Sequence, residues 1–199
     1  MNRRHLTCLL AATPFLPLLA QAQGMELAGV KYPPSVQVGG ATLQLNGAGI
    51  RYKFVKVYTA GLYLTAKATT TDAVLANTGA KRMHVVMLRD IDANELGKLF
   101  TRGMQDNTEK AEFLKMIPGT IRMSDIFSAQ KKLVAGDAFS VDWVPGTGTV
   151  ISVNGKATGQ PIVEPEFYSG LMRIWLGKSP AEATLKAALL GKPQGSDGN

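Results

Sequence analysis

Arg51 and Tyr58 are the residues of this chain whose types and spacing point most directly to chemistry. Both lie in the segment from Leu45 to Leu64, LNGAGIRYKFVKVYTAGLYL, whose aromatic and β-branched residues predict a strand pair preceded by a break at Gly47 and Gly49. The planar guanidinium of Arg51 suits a bidentate contact with a carboxylate, and the hydroxyl of Tyr58 adds a neutral hydrogen-bond donor. The pair therefore predicts an anion-binding site on a hairpin, with neither residue assigned to the core.

Most other kinds of active site are disfavoured by residue type. The sequence contains no Gly-x-Ser-x-Gly elbow, and His84 stands in a predicted strand among apolar residues, which favours a structural role. After residues 1–22 the sequence has one histidine and no cysteine, which cannot form the usual zinc site, and no acidic spacing is typical of a calcium loop. The Gly146-Thr147-Gly148 turn lies between two predicted strands, so it is not a dinucleotide-binding loop. We therefore predict neither a metal nor a cofactor.

Residues 1–22 have the pattern of a secretory signal peptide. Arg3 and Arg4 precede an apolar run, and Ala20-Gln21-Ala22 is a cleavage motif that predicts a mature chain beginning at Gln23. The apolar run is too short and too rich in proline for a good membrane-spanning helix. We expect a periplasmic protein without stable membrane insertion after cleavage. The paired arginines leave open whether export follows the general or the twin-arginine route.

The charge pattern bears on the class of partner. The formal net charge is +7, and it falls to +5 without residues 1–22. Lys and Arg are scattered singly or in pairs such as Lys81-Arg82 and Lys131-Lys132, whereas nucleic-acid-binding proteins more often show a basic stripe with aromatic residues. The composition argues against nucleic acid and favours solubility with a mild attraction to anionic surfaces or ligands.

The apolar periodicity predicts strands first, then helices, and a late hairpin. Strands are expected within 25–64, at 81–89, and at 139–143 and 149–153. Helices are expected at 71–76, 92–107, 109–117 and 121–133, from Pro165 to Gly177, and from Ser179 to Gly191. We expect Pro118-Gly119 to end one helix, and Ser179, Pro180 and Glu182 to form the capping box of the last. No long linker separates two cores, so 23–193 is predicted as one α+β domain and 194–199 as a disordered tail.

The order of several short motifs resembles the chalcone isomerase-like family. The segments GAGIR and KFVKVYTAGLYL carry most of the resemblance, and MLRDI, the DN at a helix end, the late Pro145-Gly146 hairpin and WLG follow in the same order. The resemblance covers nearly all of the mature chain. It implies an open-faced sandwich, in which a large antiparallel sheet carries a helical layer on one face with a cleft between them.

The resemblance to plant chalcone isomerases extends to only part of their site. Arg51 matches their arginine and Asn107 their asparagine, whereas Phe100 falls at their tyrosine. Tyr58, with Thr59 adjacent, falls at their first threonine, and Ile174 lies near the second. Because oxyanion stabilisation needs placed donors, the loss of these hydroxyls argues against flavonoid cyclisation. Any remaining catalysis would be that of an intramolecular lyase or isomerase.

Fatty-acid-binding members of the family pair an arginine and a tyrosine with the acid head group, and the resemblance therefore implies a binding protein. We predict a non-catalytic binder of a small amphipathic carboxylate such as a fatty acid. The cleft would be lined by apolar residues: Leu99, Phe100, Met104, Leu171 and Ile174. The alternatives are an isomerase or lyase using Arg51 and a bound water, and an envelope interaction protein with a closed cleft. It also stays open whether Arg51 forms a structural ion pair with Asp90 or Glu95, and whether Asn107 is only a helix end. The oligomeric state is open as well.

Overall fold

The computed structural model describes residues 24–194. The predicted signal peptide and cleavage site lie outside this range, as does the tail from residue 195. Gln194, which the sequence assigned to the tail, belongs to the fold, because its side-chain amide accepts a hydrogen bond from the backbone N–H of Ile50 at 2.7 Å and donates one to the Ile50 carbonyl at 2.9 Å. Within residues 24–194, no helix has both the length and the apolar character needed to cross a bilayer.

A seven-stranded antiparallel sheet forms the centre of the molecule, in the order β11-β10-β9-β6-β5-β4-β3. Its strands are β3 (Ser35–Val38), β4 (Ala41–Lys53), β5 (Val55–Leu64), β6 (Lys81–Met87), β9 (Ala138–Val144), β10 (Gly148–Val153) and β11 (Lys156–Ala157). Two small ribbons accompany it: β1 (Met25–Leu27) with β2 (Val30–Tyr32), and β7 (Ile91–Asp92) with β8 (Lys132–Leu133). The long β4–β5 hairpin agrees with the strand pair predicted from the sequence.

Five helices complete the described part of the chain. They are α1 (Thr71–Ala76), α2 (Ala93–Asp106), α3 (Lys110–Gln130), α4 (Pro165–Leu176) and α5 (Ala183–Leu189). Helices α2, α3 and α4 pack against one another, and α5 lies across β4 and β5. Apolar side chains from all five helices share one core with β5, β6, β9 and β10. The predicted α+β open-faced sandwich is confirmed.

The alternation of side chains along β5 separates the two faces of the sheet. Tyr58, Ala60 and Leu62 point to the core beneath the helices. Their neighbour Thr59 faces the opposite side, where its hydroxyl accepts a hydrogen bond from Tyr32 at 2.8 Å. Because side chains in a strand alternate with a period of two, Thr59 points away from the sheet face that carries Tyr58 and Ala60.

The prediction that Gly47 and Gly49 break the chain before the hairpin is wrong, because both lie inside β4. A Cβ at Gly47 would stand 2.0 Å from the Ala188 carbonyl oxygen, and one at Gly49 would stand 2.8 Å from the Ala188 side chain. These glycines let the end of α5 approach the strand. A strand glycine can mark such a close approach as well as a break.

Helix α3 continues through Pro118, where the sequence predicted an end. An interior proline costs about 3 kcal/mol of helix stability, so packing must compensate. The helix buries Met116, Thr120 and Met123 in the segment around the proline. A Cβ at Gly119 would stand 2.6 Å from the Phe167 ring of α4, so the pair that suggested a helix stop instead permits close contact between two helices.

Helix α5 begins at Ala183, and the predicted capping box at Ser179 does not form. The residues before it belong to the α4–α5 connection, residues 177–182, whose polar groups have other partners. The backbone N–H of Ser179 donates to Asn107 Oδ1 at 2.7 Å, and that of Ala181 donates to the Ile174 carbonyl at 2.7 Å. These hydrogen bonds to Asn107 and Ile174 take the place of the predicted capping box.

Candidate functional site

A cavity of about 640 Å³ opens between the tip of the β4–β5 hairpin, helix α2 and the α4–α5 connection. Its lining combines apolar residues from α2, α4 and β5 with charged residues at the mouth. The described residues that line it are Arg51, Lys53, Phe54, Val57, Tyr58, Arg89, Asp90, Ile91, Asp92, Glu95, Leu96, Leu99, Phe100, Arg102, Gly103, Asp106, Ile174, Ser179, Pro180 and Ala181. None of them is a histidine or a cysteine. The volume is in the range of small-molecule sites.

Arg51 lies near the end of β4, directly opposite Tyr58 of β5. Its guanidinium carbon is 5.9 Å from the centre of the Tyr58 ring, and its Nη1 donates a hydrogen bond of 3.1 Å to the Ala181 carbonyl. Asp90 instead pairs with Lys132 at 3.2 Å, and within residues 24–194 no carboxylate lies at ion-pair distance from Arg51. The structural ion pair considered from the sequence does not form, so most of the five N–H donors remain for another partner.

Tyr58 is a core residue that also lines the cavity. Only 5% of it is exposed, which differs from the expectation that it lies outside the core. Its oxygen accepts a hydrogen bond of 2.9 Å from the indole Nε1 of Trp175. Burial raises the pKa of Tyr58 to about 12, against the opposing effects of the Arg51 charge and the Trp175 hydrogen bond. The hydroxyl therefore stays protonated at neutral pH and can donate to a ligand.

Phe100 forms the apolar floor of the cavity. It is buried in α2 and makes edge-to-face contacts with Phe127, Phe139 and Trp175, each at 5.6 Å between ring centres. Ile174 of α4, also buried, lines the same cavity. Aromatic contacts of this geometry hold the ring in place, so the floor is preorganised.

The charged residues at the mouth have two kinds of role. Asp92 caps α2 by accepting a hydrogen bond of 3.0 Å from the backbone N–H of Glu95, and Arg102 lies 3.8 Å from Asp106 one helical turn away. Arg51 takes no part in these local contacts and lies near the end of β4, beside the hairpin tip. The arrangement can bind and orient an anion with an apolar body. Among the lining residues that the structure describes, neither the Tyr58 nor the Ser179 hydroxyl is hydrogen-bonded to a carboxylate or imidazole base.

Four of the predicted site residues meet at this cavity, and two do not. Arg51, Tyr58, Phe100 and Ile174 line it, whereas Thr59 lies on the other face of the sheet. The side chain of Asn107 makes three hydrogen bonds with backbone groups of the protein. Its Nδ2 donates to the carbonyls of Gly103 and Ser179, and its Oδ1 accepts from the Ser179 N–H. Asn107 thus anchors the α4–α5 connection.

Met104 and Leu171, expected in the lining, are buried in the core instead. The binding roles of Arg51, Tyr58, Phe100 and Ile174 remain predictions.

Two contributors to the site were not found from the sequence. Trp175 was predicted on the apolar face of its helix, but its hydrogen bond to Tyr58 spans 117 residues. The Ala181 carbonyl holds Arg51 across 130 residues. A tryptophan among apolar residues carries a donor that needs a partner when buried, which is the one available signal. A backbone carbonyl gives no signal in the sequence.

Comparison with known proteins agrees with this architecture. A family model described as chalcone isomerase-like matches residues 24–191, and the chain therefore belongs to that family. A search of curated proteins finds no sequence match.

Among solved structures, the fold is similar to that of a fatty-acid binding protein from Arabidopsis thaliana. The TM-score is 0.65 at 11% sequence identity, over 84% of this chain and 96% of the plant protein. At this identity the likeness concerns the fold.

Proposed function

We propose that this protein is an exported, non-catalytic binder of a small amphipathic carboxylate such as a fatty acid, and that it acts in the periplasm. The head group would contact Arg51 and Tyr58, and the apolar chain would lie over Phe100 and Ile174. The single observation that carries the proposal is that Arg51, which has no carboxylate partner among residues 24–194, and the protonated Tyr58 line one cavity together with apolar side chains. The fold shared with a plant fatty-acid binding protein supports it.

The energetics favour an acid with a substantial chain. A hydrogen bond to a charged group contributes roughly 1.5–3 kcal/mol, which by itself gives weak binding. Each buried methylene adds about 0.8 kcal/mol, so most of the affinity would come from the chain. The head group would then set orientation and selectivity for the acid over a neutral analogue.

Titration calorimetry with a fatty acid and the alcohol of equal length tests the proposal. Arg51→Gln keeps a polar side chain but removes the charge. We expect it to weaken acid binding by about 1.5–3 kcal/mol, or roughly tenfold to more than a hundredfold, and alcohol binding far less. Arg122→Gln is the matched control, because Arg122 lies on α3 and pairs with Glu164 at 3.4 Å. No acid binding by the unmodified protein, or equal losses for acid and alcohol, would refute the carboxylate site.

The pH dependence of ligand binding and turnover distinguishes the alternative, an isomerase or lyase, from a binding protein. An enzyme needs a group that titrates near its working pH. With Arg51 charged, Tyr58 protonated and the ligand carboxylate ionised, acid affinity should stay constant between about pH 6 and pH 9. Turnover of a bound acid with a bell-shaped pH profile would favour the enzyme.

A further inference from the structure

The tip of the β4–β5 hairpin presents apolar side chains to solvent. Phe54 is fully exposed, and its neighbours Tyr52 and Val55 are 41% and 49% exposed. Phe54 occupies the turn between Lys53 of β4 and Val55 of β5. An exposed apolar cluster on a projecting turn is a candidate interaction surface.

The conformation of Phe54 indicates that its side chain does not serve the fold. Its φ is +65°, in the left-handed region that glycine and asparagine adopt much more readily than an aromatic residue. The ring buries nothing in the described structure, because it is fully exposed. A residue that is unfavourable for its own turn and absent from the core requires another explanation.

Basic residues surround the exposed ring. Lys53 and Lys56 flank Phe54 and Val55 and are exposed, and Arg51 lies two residues before Lys53 in β4. The sequence RYKFVK therefore places cations between apolar groups. Glu182, an acidic residue beside the tip, accepts hydrogen bonds from the Tyr52 N–H at 2.6 Å and from the Thr184 hydroxyl at 2.5 Å. Aromatic and apolar groups flanked by lysines match an anionic bilayer interface, where the rings enter the acyl boundary and the ammonium groups reach the phosphates.

We propose that residues 52–56, the hairpin tip, dock this protein on an anionic phospholipid bilayer. Phe54 and Val55 enter the interface, and Lys53 and Lys56 contact the headgroups. Lys53 and Phe54 also line the cavity, so docking places the cavity mouth at the lipid surface. Docking uses the tip alone and does not depend on the carboxylate site.

Vesicle sedimentation tests the docking with no fatty acid added. A protein beginning at Gln23 is used, because residues 24–194 contain the whole described core and the apolar N-terminal run would itself bind lipid. We expect binding to vesicles of phosphatidylcholine mixed with phosphatidylglycerol, weaker binding to phosphatidylcholine alone, and loss of the difference at high salt. Absence of binding to the mixed vesicles overturns the proposal.

Two substitutions locate the surface. Phe54→Asn removes the apolar ring and suits a positive φ, so the fold should be retained while vesicle affinity falls roughly tenfold or more. Lys56→Gln should reduce affinity for the mixed vesicles about fivefold and leave phosphatidylcholine unaffected. Arg51→Gln, which tests the acid site, should change vesicle binding no more than Lys56→Gln does, so failure of one proposal is distinguishable from failure of the other.

Controls use other exposed apolar residues. Val163, 64% exposed beside Glu164, should be replaceable by Ser without change in vesicle binding. Helix α3 carries exposed Leu114, Ile117 and Ile121 at helical spacing. If Leu114→Ser abolishes binding while folded Phe54→Asn retains it, the membrane surface lies on α3 and the hairpin proposal is wrong.

Discussion

At the residue scale, Tyr58 has one observed hydrogen-bond partner, Trp175, and one proposed partner, the ligand carboxylate. Its oxygen accepts the Trp175 indole hydrogen, which leaves its own proton for a ligand. Arg51 stacks against the same ring, so a cation, a hydroxyl and an indole are held in one unit. This arrangement fixes the hydroxyl before a ligand arrives, and a preorganised donor binds with less loss of entropy.

Tyr58→Phe should therefore affect both stability and binding. The Trp175 indole N–H would lose its acceptor in a buried position, which costs about 1–3 kcal/mol of unfolding free energy, while acid affinity falls by about 0.5–1.5 kcal/mol. Chemical denaturation and calorimetry measure the two effects. Combined with Trp175→Phe in a double-mutant cycle, the stability losses should be coupled by about 1 kcal/mol. Additive losses would contradict the hydrogen bond described here.

The α4–α5 connection positions the site at the element scale. It is held by Asn107 of the α2 C-terminus and in turn places the Ala181 carbonyl against Arg51. Asn107 is a matched position in the resemblance to plant chalcone isomerases, where its counterpart lies in the cleft. Here its three hydrogen bonds are with backbone groups, and it acts on the site through the connection.

Asn107→Ala should reduce the free energy of unfolding by roughly 1–3 kcal/mol, because three hydrogen bonds with backbone groups are lost. Acid affinity, measured well below the unfolding temperature, should fall less than in Arg51→Gln, since no ligand contact is removed. Gln105→Ala, an exposed position on the same helix, is the control. A large loss of affinity at unchanged stability would instead make Asn107 a direct ligand contact.

At the scale of the whole molecule, buried tyrosines make the fold sensitive to alkali. Burial raises the pKa of Tyr58 and of Tyr63 from 10.0 to about 12, and the fold therefore favours their protonated forms. The stabilisation is complete below pH 10 and is lost as the pH rises through 12, with each tyrosine contributing on the order of 2–3 kcal/mol.

We therefore expect the free energy of unfolding to decline between pH 10 and pH 12. Tyr58→Phe should decline less steeply over this window because one titrating group is gone. Denaturant titrations at several pH values measure the slopes. An unchanged slope in the variant would show that Tyr58 does not contribute to the alkaline transition.

Export is a prediction about the whole chain that rests on residues outside the described structure. The Ala20-Gln21-Ala22 motif leads us to expect a mature N-terminus at or near Gln23 in a periplasmic fraction. Mass mapping of the N-terminus after fractionation checks it. Recovery of chain retaining Met1 in the cytoplasm would contradict the localisation proposed here.

The sequence by itself determined the parts of the molecule that depend on near neighbours. Arg51 and Tyr58 were predicted on one hairpin. The turn pairs Lys53 with Val55 and Tyr52 with Lys56, and a register shift between Tyr52 and Arg51 then sets Arg51 opposite Tyr58. Helices α2 and α4 followed from their apolar periodicity; α2 buries one face, whereas α4 is buried or half-buried at every position after Pro165. The composition of the β4–β5 segment also suggested an anion site, which stays a prediction.

Only the tertiary structure decided which neighbours complete that site. The helix-breaking preference of Pro118 was outweighed by burial along α3, and the cap expected at Ser179 was replaced by hydrogen bonds to Asn107 and Ile174. Trp175 reaches Tyr58 across 117 residues, whereas Thr59, adjacent to Tyr58 in sequence, is separated from it by the sheet. The physical reason is that local preferences amount to a few kcal/mol, which long-range packing and hydrogen bonding can exceed.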